Sequence, residues 1–148
     1  MGINRHTNIV SCFLLPVRDN SILLLKRKNT GYFDGYYWLI SWHVENNETF
    51  TQGMIRETNE EWWIILSPDD IKVVHIMQRK AEIDQSQGVD AYFLCDKWKW
   101  DFINAEPHKC EKLEWCDMDN LPSNLIPAIK FAIQNIRNNI FYSEYGWE

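Results

Sequence analysis

The hydrophobic and polar positions divide the first part of the chain into two strands, a loop and a further strand. Apolar and β-branched residues fill 9–17 and 22–27, with a polar turn at 18–21 between them. This pattern predicts a β-hairpin. Segment 29–36 contains two glycines and predicts a loop. Residues 37–41 then predict a short strand.

A helix start follows this strand. Thr49 and Gln52 have the spacing of a capping box, in which each side chain pairs with the backbone of the other residue. Phe50 and Met54 supply apolar positions at helical spacing. We therefore predict a helix that begins after Thr49 and runs to about Trp62.

The second part of the chain mixes strands and helices without regular alternation. Segments 71–78, 89–95 and 113–116 are predicted strands. Five isoleucines mark one stripe of a predicted C-terminal helix: Ile126, Ile129, Ile133, Ile136 and Ile140. Four aromatic residues after it are interpreted as simple packing or a dimer contact: Phe141, Tyr142, Tyr145 and Trp147. The order of elements predicts an α+β fold with a mixed sheet.

Length and composition narrow the class of protein. The chain has 148 residues, and we expect a single domain over 1–148 because no linker or repeat divides it. Hydrophobic residues make up 45% and charged residues 24%, which excludes disordered, collagen-like and coiled-coil proteins. No apolar run approaches the roughly 18 residues that a membrane span needs. The polar N-terminal residues do not resemble a signal peptide.

The net charge restricts the expected class of ligand, and the cysteines indicate the expected cellular compartment. The 15 Lys and Arg residues against 21 Asp and Glu residues give a net charge of −6. An acidic chain is poorly suited to polymeric nucleic acid, whose binding depends on basic residues. It can still take a small phosphorylated substrate when a divalent cation supplies positive charge. The four cysteines form no CxxC pair, so we expect no structural zinc site and predict a reducing, cytoplasmic location.

Three glutamates share one face of the first predicted helix. Glu57, Glu60 and Glu61 lie at positions i, i+3 and i+4, where like charges repel. A solvated acidic surface or a cation between the carboxylates would account for them. On the cluster alone the solvated surface is favoured. A hard cation such as Mg²⁺ or Mn²⁺, which prefers oxygen ligands, is the alternative.

A longer pattern surrounds the three glutamates. Its members follow one another at fixed spacing: Glu48, Arg56, Glu57, Glu60, Glu61 and Ile64. This pattern resembles the Nudix box of the MutT-like hydrolases, G-x5-E-x7-R-E-U-x-E-E-x-G-U with U apolar. Residues 39–45 (LISWHVE) are similar to the family's L-P-G-G-H-V-E segment. Weaker likenesses before and after the box extend the resemblance over about 9–136.

The resemblance implies both a fold and an activity. The fold is a Nudix-like α/β/α sandwich with a mixed β-sheet. The activity is divalent-metal-dependent hydrolysis of a phosphoanhydride bond in a nucleoside triphosphate or in a nucleoside diphosphate linked to another group. Mg²⁺ or Mn²⁺ is the implied cofactor, and a small phosphorylated compound, a nucleotide, is the implied partner. Homodimers are common in the family, so a homodimer stays open.

The resemblance also assigns roles to oxygen ligands. Glu57, Glu60 and Glu61 match the family's metal-binding and catalytic carboxylates. The backbone carbonyl of Ser41 matches a further metal ligand. Glu106 is a carboxylate of a later loop that joins the metals or acts as the base. Such metals would neutralise the diphosphate and activate a water, whose proton a nearby glutamate would take.

Other positions carry supporting roles under the same resemblance. Glu48 and Arg56 match a structural pair that ties the helix to the preceding loop. Arg27 is a candidate contact to the base or phosphate of the substrate. Four aromatic residues near it are assigned either to stacking on a base or, preferentially, to core and loop packing: Tyr32, Phe33, Tyr36 and Tyr37.

The chain departs from the family pattern at both glycines of the box. Trp42 stands at the first glycine and Trp63 at the second, and Trp100 stands where related chains often have a third. Trp63 directly follows the predicted helix, where a left-handed cap costs a non-glycine residue about 1–2 kcal/mol. Three hypotheses follow. The chain is a hydrolase, with or without impairment by the rings, or it is a Nudix-fold nucleotide-binding module with little or no catalysis. If the rings plug the cleft, it is a scaffold with neither ligand nor catalysis.

Overall fold

The chain forms one mixed sheet with a helix on each face. The computed structural model describes residues 2–147. Within these residues the elements are β1 (Ile9–Arg18), β2 (Ser21–Arg27), β3 (Tyr37–Trp38), β4 (Ile40–His43), α1 (Phe50–Trp62), a 3₁₀ turn (Pro68–Asp70), β5 (Ile71–Lys80), β6 (Gln87–Cys95), β7 (Cys110–Asp117), α2 (Pro127–Arg137) and β8 (Tyr142–Tyr145). The predicted strand at 37–41 is thus two short strands that Leu39 separates.

Strand β1 is the branch point of the sheet. One edge of β1 pairs in parallel with β6 along most of its length. On the other edge, 11–14 pair antiparallel with β4, and Val17 and Arg18 pair antiparallel with β2. Strands β3 and β7 extend the sheet beyond β2. On the far side, β5 pairs antiparallel with β6 and parallel with β8. The mixed sheet is confirmed.

Two apolar clusters cover the two faces of the sheet. Because side chains alternate along a strand, Phe13 and Leu15 of β1 join the cluster under α2, whereas Cys12 and Leu14 join the cluster under α1. A sheet covered by a helix on both faces is the predicted α/β/α sandwich, which is confirmed. Helix α1 therefore rests on the sheet with its acidic positions turned away from the core.

Both ends of α1 follow the sequence signals. The Thr49 hydroxyl accepts from the Gln52 N–H at 3.1 Å, and the Gln52 side chain accepts from the Thr49 N–H at 2.8 Å. The predicted capping box is confirmed. Trp63 ends the helix in the left-handed region, at φ 56° and ψ 29°. Its indole is 55% exposed, and the next residue, Ile64, is fully buried. The left-handed residue thus turns the chain back into the core.

The left-handed backbone of Trp63 leads to a prediction about its replacements. Trp63→Gly and Trp63→Ala remove the same exposed ring, but only glycine adopts φ 56° without strain. We expect the glycine variant to be more stable than the alanine variant by about 1 kcal/mol. Urea unfolding of the two variants side by side measures this difference. Equal free energies of unfolding would contradict a strained cap.

The C-terminal helix is shorter than the isoleucine stripe predicts, and the prediction was wrong for Ile140. Helix α2 ends at Arg137, and Ile140 lies beyond it and is 45% exposed. Asn139 adopts φ 57°, and the Ile140 N–H donates to the Asn135 carbonyl at 2.9 Å. Asparagine enters the left-handed region more easily than most residues. This asparagine therefore stops the helix while the apolar spacing continues.

The aromatic tail beyond α2 forms a strand that the sequence did not predict. Strand β8 pairs with β5, and a buried histidine of β5 fastens it. The ring nitrogens of His75 contact the Ile140 carbonyl at 2.8 Å and the Ser143 hydroxyl at 2.7 Å. Burial lowers the pKa of His75. The tail thus packs by strand pairing within the chain, and the dimer contact stays a prediction.

Candidate active site

Helix α1 places two of its glutamates at a cleft beside the sheet. The cleft has a volume of about 490 Å³, and Glu57 and Glu61 line one side of it. These two carboxylates lie one helical turn apart, so they face the same way. Ser41 of β4 lines the same cleft, and Arg27 and Arg79 line its other parts. The cleft therefore combines paired carboxylates with two arginines.

The guanidinium of Arg56 forms hydrogen bonds with two glutamates, Glu48 and Glu57. Its Nε and Nη2 donate to the two carboxylate oxygens of Glu48 at 3.1 and 3.0 Å. The Glu45 N–H also donates to Glu48 at 2.8 Å. The bonds from Arg56, and then the one from the Glu45 N–H, hold the pKa of Glu48 below its ordinary value. Arg56 Nη1 donates to Glu57 at 2.9 Å. The predicted structural pair is thus in contact, and the same guanidinium fixes a cleft carboxylate.

Glu61 lies where negative charges crowd. Burial raises the pKa of Glu61 to about 8, and a hydrogen bond with Glu57 and the charges of Glu57 and Glu106 add to the increase. Lys109 opposes the shift. A carboxylate with this environment resists ionisation unless a cation comes close. Crowded carboxylate oxygens are the donors that a hard divalent cation prefers, so Glu57 and Glu61 suit such a cation.

Glu60 is more exposed than Glu57 and does not line the cleft. Its side chain is 60% exposed, and its described contact is with Arg56 Nη1 at 3.5 Å. Over residues 2–147, no group of three or more His, Cys, Asp or Glu side chains is arranged to hold a metal ion. The structure therefore brings Glu57 and Glu61 together, with Glu106 near enough to influence Glu61. Glu60 shares the Arg56 guanidinium with Glu57 but does not line the cleft.

Ser41 and Glu106 reach Glu61 from other elements. All three line a second cleft of about 370 Å³ beside the first. The Ser41 hydroxyl accepts from the Trp38 indole N–H at 3.0 Å. The loop that carries Glu106 is attached to the end of α1, because the Ala105 N–H donates to the Glu61 carbonyl at 3.2 Å. Glu61 thus lines both clefts, as Ser41, Arg27 and Trp38 also do.

Arg27 lies on the boundary of the two clefts and is half-buried. Its guanidinium packs against the rings of Tyr32 and Trp38, at 5.6 and 5.2 Å from their centroids. Burial lowers the pKa of Arg27. Among residues 2–147 it forms no ion pair, whereas Arg56, Arg79 and Arg137 do. An unpaired, half-buried guanidinium is suited to binding an anionic group.

The sequence did not indicate several residues of the cleft. Trp38 carried no signal, although it holds both Arg27 and Ser41. Arg79 donates to Asp90 at 2.6 Å, and Asp90 is fully buried. Burial raises the pKa of Asp90, and Arg79 opposes this. The sequence did offer one signal for this pair. Asp90 is a carboxylate within the apolar run of β6, and a buried carboxylate needs a partner.

The aromatic cluster before the box divides between two roles. Tyr37 is 6% exposed and belongs to the core, as the packing interpretation predicted. Phe33 packs partly against the same core. Tyr32 instead lines the main cleft beside Arg27. Tyr36 is 40% exposed. Packing therefore accounts for part of the cluster, and the ring of Tyr32 is available to the cleft.

Trp42 enters the core from an ordinary strand. It pairs with Cys12 across β1 and β4, is 3% exposed, and packs against Phe93 with ring centroids 6.0 Å apart. Its indole N–H is buried without a hydrogen-bond partner in the described part of the chain. A β-carbon on Gly53 of α1 would lie 3.0 Å from that nitrogen and 2.8 Å from Glu48. Gly53, which has no side chain, thus leaves room on the helix for the indole of Trp42.

Comparisons with known proteins agree with this architecture. The family model described as the NUDIX domain matches residues 5–136. A MutT NUDIX hydrolase from Burkholderia pseudomallei is 26% identical, with a TM-score of 0.77, and the match covers 87% of this chain and 98% of that one. A NUDIX hydrolase from Nitrosomonas europaea is 15% identical, with a TM-score of 0.75 and coverage of 92% and 93%.

A third structure extends the likeness of the fold. The MutT protein from Bacillus halodurans is 16% identical, with a TM-score of 0.73, and the match covers 93% of this chain and 89% of that one. No curated protein matches the sequence. Neither helix in residues 2–147 has the length and apolarity to cross a membrane.

Proposed function

The chain belongs to the Nudix family, and we propose that it is a divalent-metal-dependent hydrolase of a phosphoanhydride bond in a small nucleotide. The substrate class is a nucleoside triphosphate or a nucleoside diphosphate linked to another group. The observation that carries the proposal is the pair Glu57 and Glu61 at a cleft that also holds the unpaired Arg27. Carboxylates and a guanidinium together suit a metal-bound diphosphate.

The residues of the cleft have separate proposed roles. Glu57 and Glu61 would hold the metal, with the Ser41 carbonyl, Glu60 and Glu106 as the remaining proposed ligands. When bound, Mg²⁺ or Mn²⁺ supplies charge neutralisation and polarisation at phosphorus. The water oxygen forms a new bond to phosphorus as the phosphoanhydride P–O bond breaks, and a glutamate of this group accepts the proton of the water. The leaving phosphate departs with the electron pair of the broken bond. Arg27 binds an anionic oxygen of the substrate.

The size and charge of the molecule support a small substrate. A cleft of about 490 Å³ has room for one nucleotide. The net charge of −6 disfavours polymeric nucleic acid. The family match covers most of the chain, which supports the proposal that 1–148 acts as one domain.

A substrate panel tests the proposal. The panel contains ATP, ADP-ribose, a sugar nucleotide and a dinucleoside polyphosphate, each with Mg²⁺, with Mn²⁺ and with a chelator. We expect metal-dependent cleavage of at least one compound. We also expect either metal at 100 times its Kd to raise the free energy of unfolding by about 2.7 kcal/mol, because it binds only the folded chain. A Glu61→Gln variant should lose both effects. Absence of cleavage from the whole panel would contradict the hydrolase.

A catalytically weak nucleotide-binding module is the second candidate. The exposed Glu60 favours it, because the carboxylates are not all gathered at the cleft. Trp42, which borders the cleft at a glycine position of the box, also favours it. This candidate predicts that a panel compound binds, as measured by calorimetry, while single-turnover cleavage stays undetectable. Measurable single-turnover cleavage would contradict it.

A further inference from the structure

The donor groups of Arg27 are only partly used. Nε donates to the Tyr32 carbonyl at 2.7 Å, and Nη2 donates to the Thr30 hydroxyl at 3.0 Å. In the described chain, Nη1 has no acceptor. Two hydrogen bonds and two flanking rings therefore fix the plane of the guanidinium while one nitrogen stays available at the clefts that contain Glu61. The orientation of Arg27 thus depends on Thr30.

Asp34 in turn fixes the hydroxyl of Thr30. The Thr30 hydroxyl is 2.6 Å from Asp34 Oδ1, and the Thr30 N–H contacts both carboxylate oxygens at 3.0 and 3.1 Å. The Gly31 N–H donates to the same carboxylate at 2.9 Å. The Thr30 hydroxyl also lies 3.0 Å from the Tyr32 carbonyl, but the nearer and charged Asp34 oxygen is the stronger acceptor for its single proton. With the proton on that bond, the oxygen of Thr30 accepts from Arg27.

Residues 28–35 form the loop that carries Thr30 and Asp34, and backbone hydrogen bonds join the end of this loop to Arg27. The Arg27 N–H donates to the Tyr36 carbonyl at 2.9 Å, and the Gly35 N–H donates to the Arg27 carbonyl at 2.8 Å. Asp34 is exposed and lines neither cleft. Asp34 therefore does not line the space in which a substrate would bind, and its hydrogen bonds lead to Arg27 through Thr30.

We propose that Thr30 and Asp34 are positioning residues that hold the Arg27 guanidinium in the orientation in which it binds the anionic group of the substrate. The proposal rests on the proposed function for its consequence in catalysis. The positioning itself is a property of the chain without substrate. The two parts can therefore be tested separately.

Nuclear magnetic resonance of ¹⁵N-labelled protein tests the positioning without substrate. In the parent chain we expect a distinct Arg27 Nε–H signal and hindered rotation of the guanidinium. Thr30→Val and Asp34→Asn should shift that signal and speed the rotation, whereas Thr30→Ser, which keeps the hydroxyl, should not. Asp69→Asn, an exposed aspartate far from this loop in sequence, is the control. Unchanged Arg27 signals in Thr30→Val would overturn the proposal.

Steady-state kinetics with ATP and ADP-ribose test the consequence. Loss of a hydrogen bond to a charged group predicts that Thr30→Val and Asp34→Asn raise KM about tenfold, with kcat unchanged. Thr30→Ser should restore KM. In an Arg27→Ala background, Thr30→Val should have no further effect, which a merely structural role would not produce. An unchanged KM beside altered Arg27 signals would overturn the role in binding. If the parent cleaves neither probe, the hydrolase proposal fails for these probes, and the resonance measurements still decide the positioning.

Discussion

Glu61→Gln is expected to lower turnover about 10³-fold, the size of effect that a group engaged in proton transfer or charge stabilisation has. The same loss is expected for Glu57→Gln. Glutamine keeps the shape of the side chain but cannot accept a proton or neutralise a cation. The reason to select this pair is their position, since both line the main cleft and share a hydrogen bond.

Controls separate lost chemistry from lost structure. In the metal-free protein, Glu61→Gln removes one of two crowded carboxylates, so its thermal midpoint should be at least that of the parent. Glu144→Gln, at an exposed position of strand β8, should leave turnover unchanged. Unfolding of metal-free Glu61→Gln, or full turnover by it, would contradict the assignment. Glu60→Gln tests the sequence prediction that the exposed glutamate also belongs to the metal ligands.

Trp42→Gly is expected to lower the free energy of unfolding by about 3–5 kcal/mol, although it restores the residue that the family pattern has. The ring is 3% exposed and belongs to the apolar cluster beneath α1. Glycine would leave a cavity where the indole packs against Phe93. Restoring the consensus residue should therefore damage this fold.

The matched variant is Trp42→Phe, which keeps most of the buried ring and removes the unpaired indole N–H. We expect it to change stability by less than about 1.5 kcal/mol. Trp63→Gly, at the exposed end of α1, shows the effect of a restored glycine outside the core. Urea unfolding of the three variants makes the comparison. Parent-like stability of Trp42→Gly would show that the ring does not support the core.

Local signals made the first helix and the carboxylate pair predictable. Thr49 and Gln52 lie three residues apart, and a capping box needs nothing more distant. Glu57 and Glu61 share a helical face wherever the helix packs. The mixed sheet followed from the order of strands and helices. In each case the information lies within a few residues or in the order of elements, which a sequence displays directly.

Features that depend on distant contacts were not predictable. Strand β8 exists because β5 offers an edge and His75 a buried partner, and both lie more than sixty residues earlier. The inward direction of Trp42 depends on the bare surface that Gly53 presents on another element. The unpaired state of Arg27 depends on where every carboxylate lies after folding. The spacing of residues in a single sequence does not indicate which distant residues come into contact after folding.

The packing of Trp42 against Gly53 of α1, which has no side chain, restricts the mutations that either position tolerates. Once the ring occupies this space, a mutation that adds a side chain at residue 53 meets both the indole and the clamped Glu48. A mutation that removes the ring leaves a hole that the neighbours are not shaped to fill. Each residue thus restricts which mutations the other position tolerates. A chain that carries this pair depends on it, and glycine at position 42 would require compensating changes elsewhere in the core.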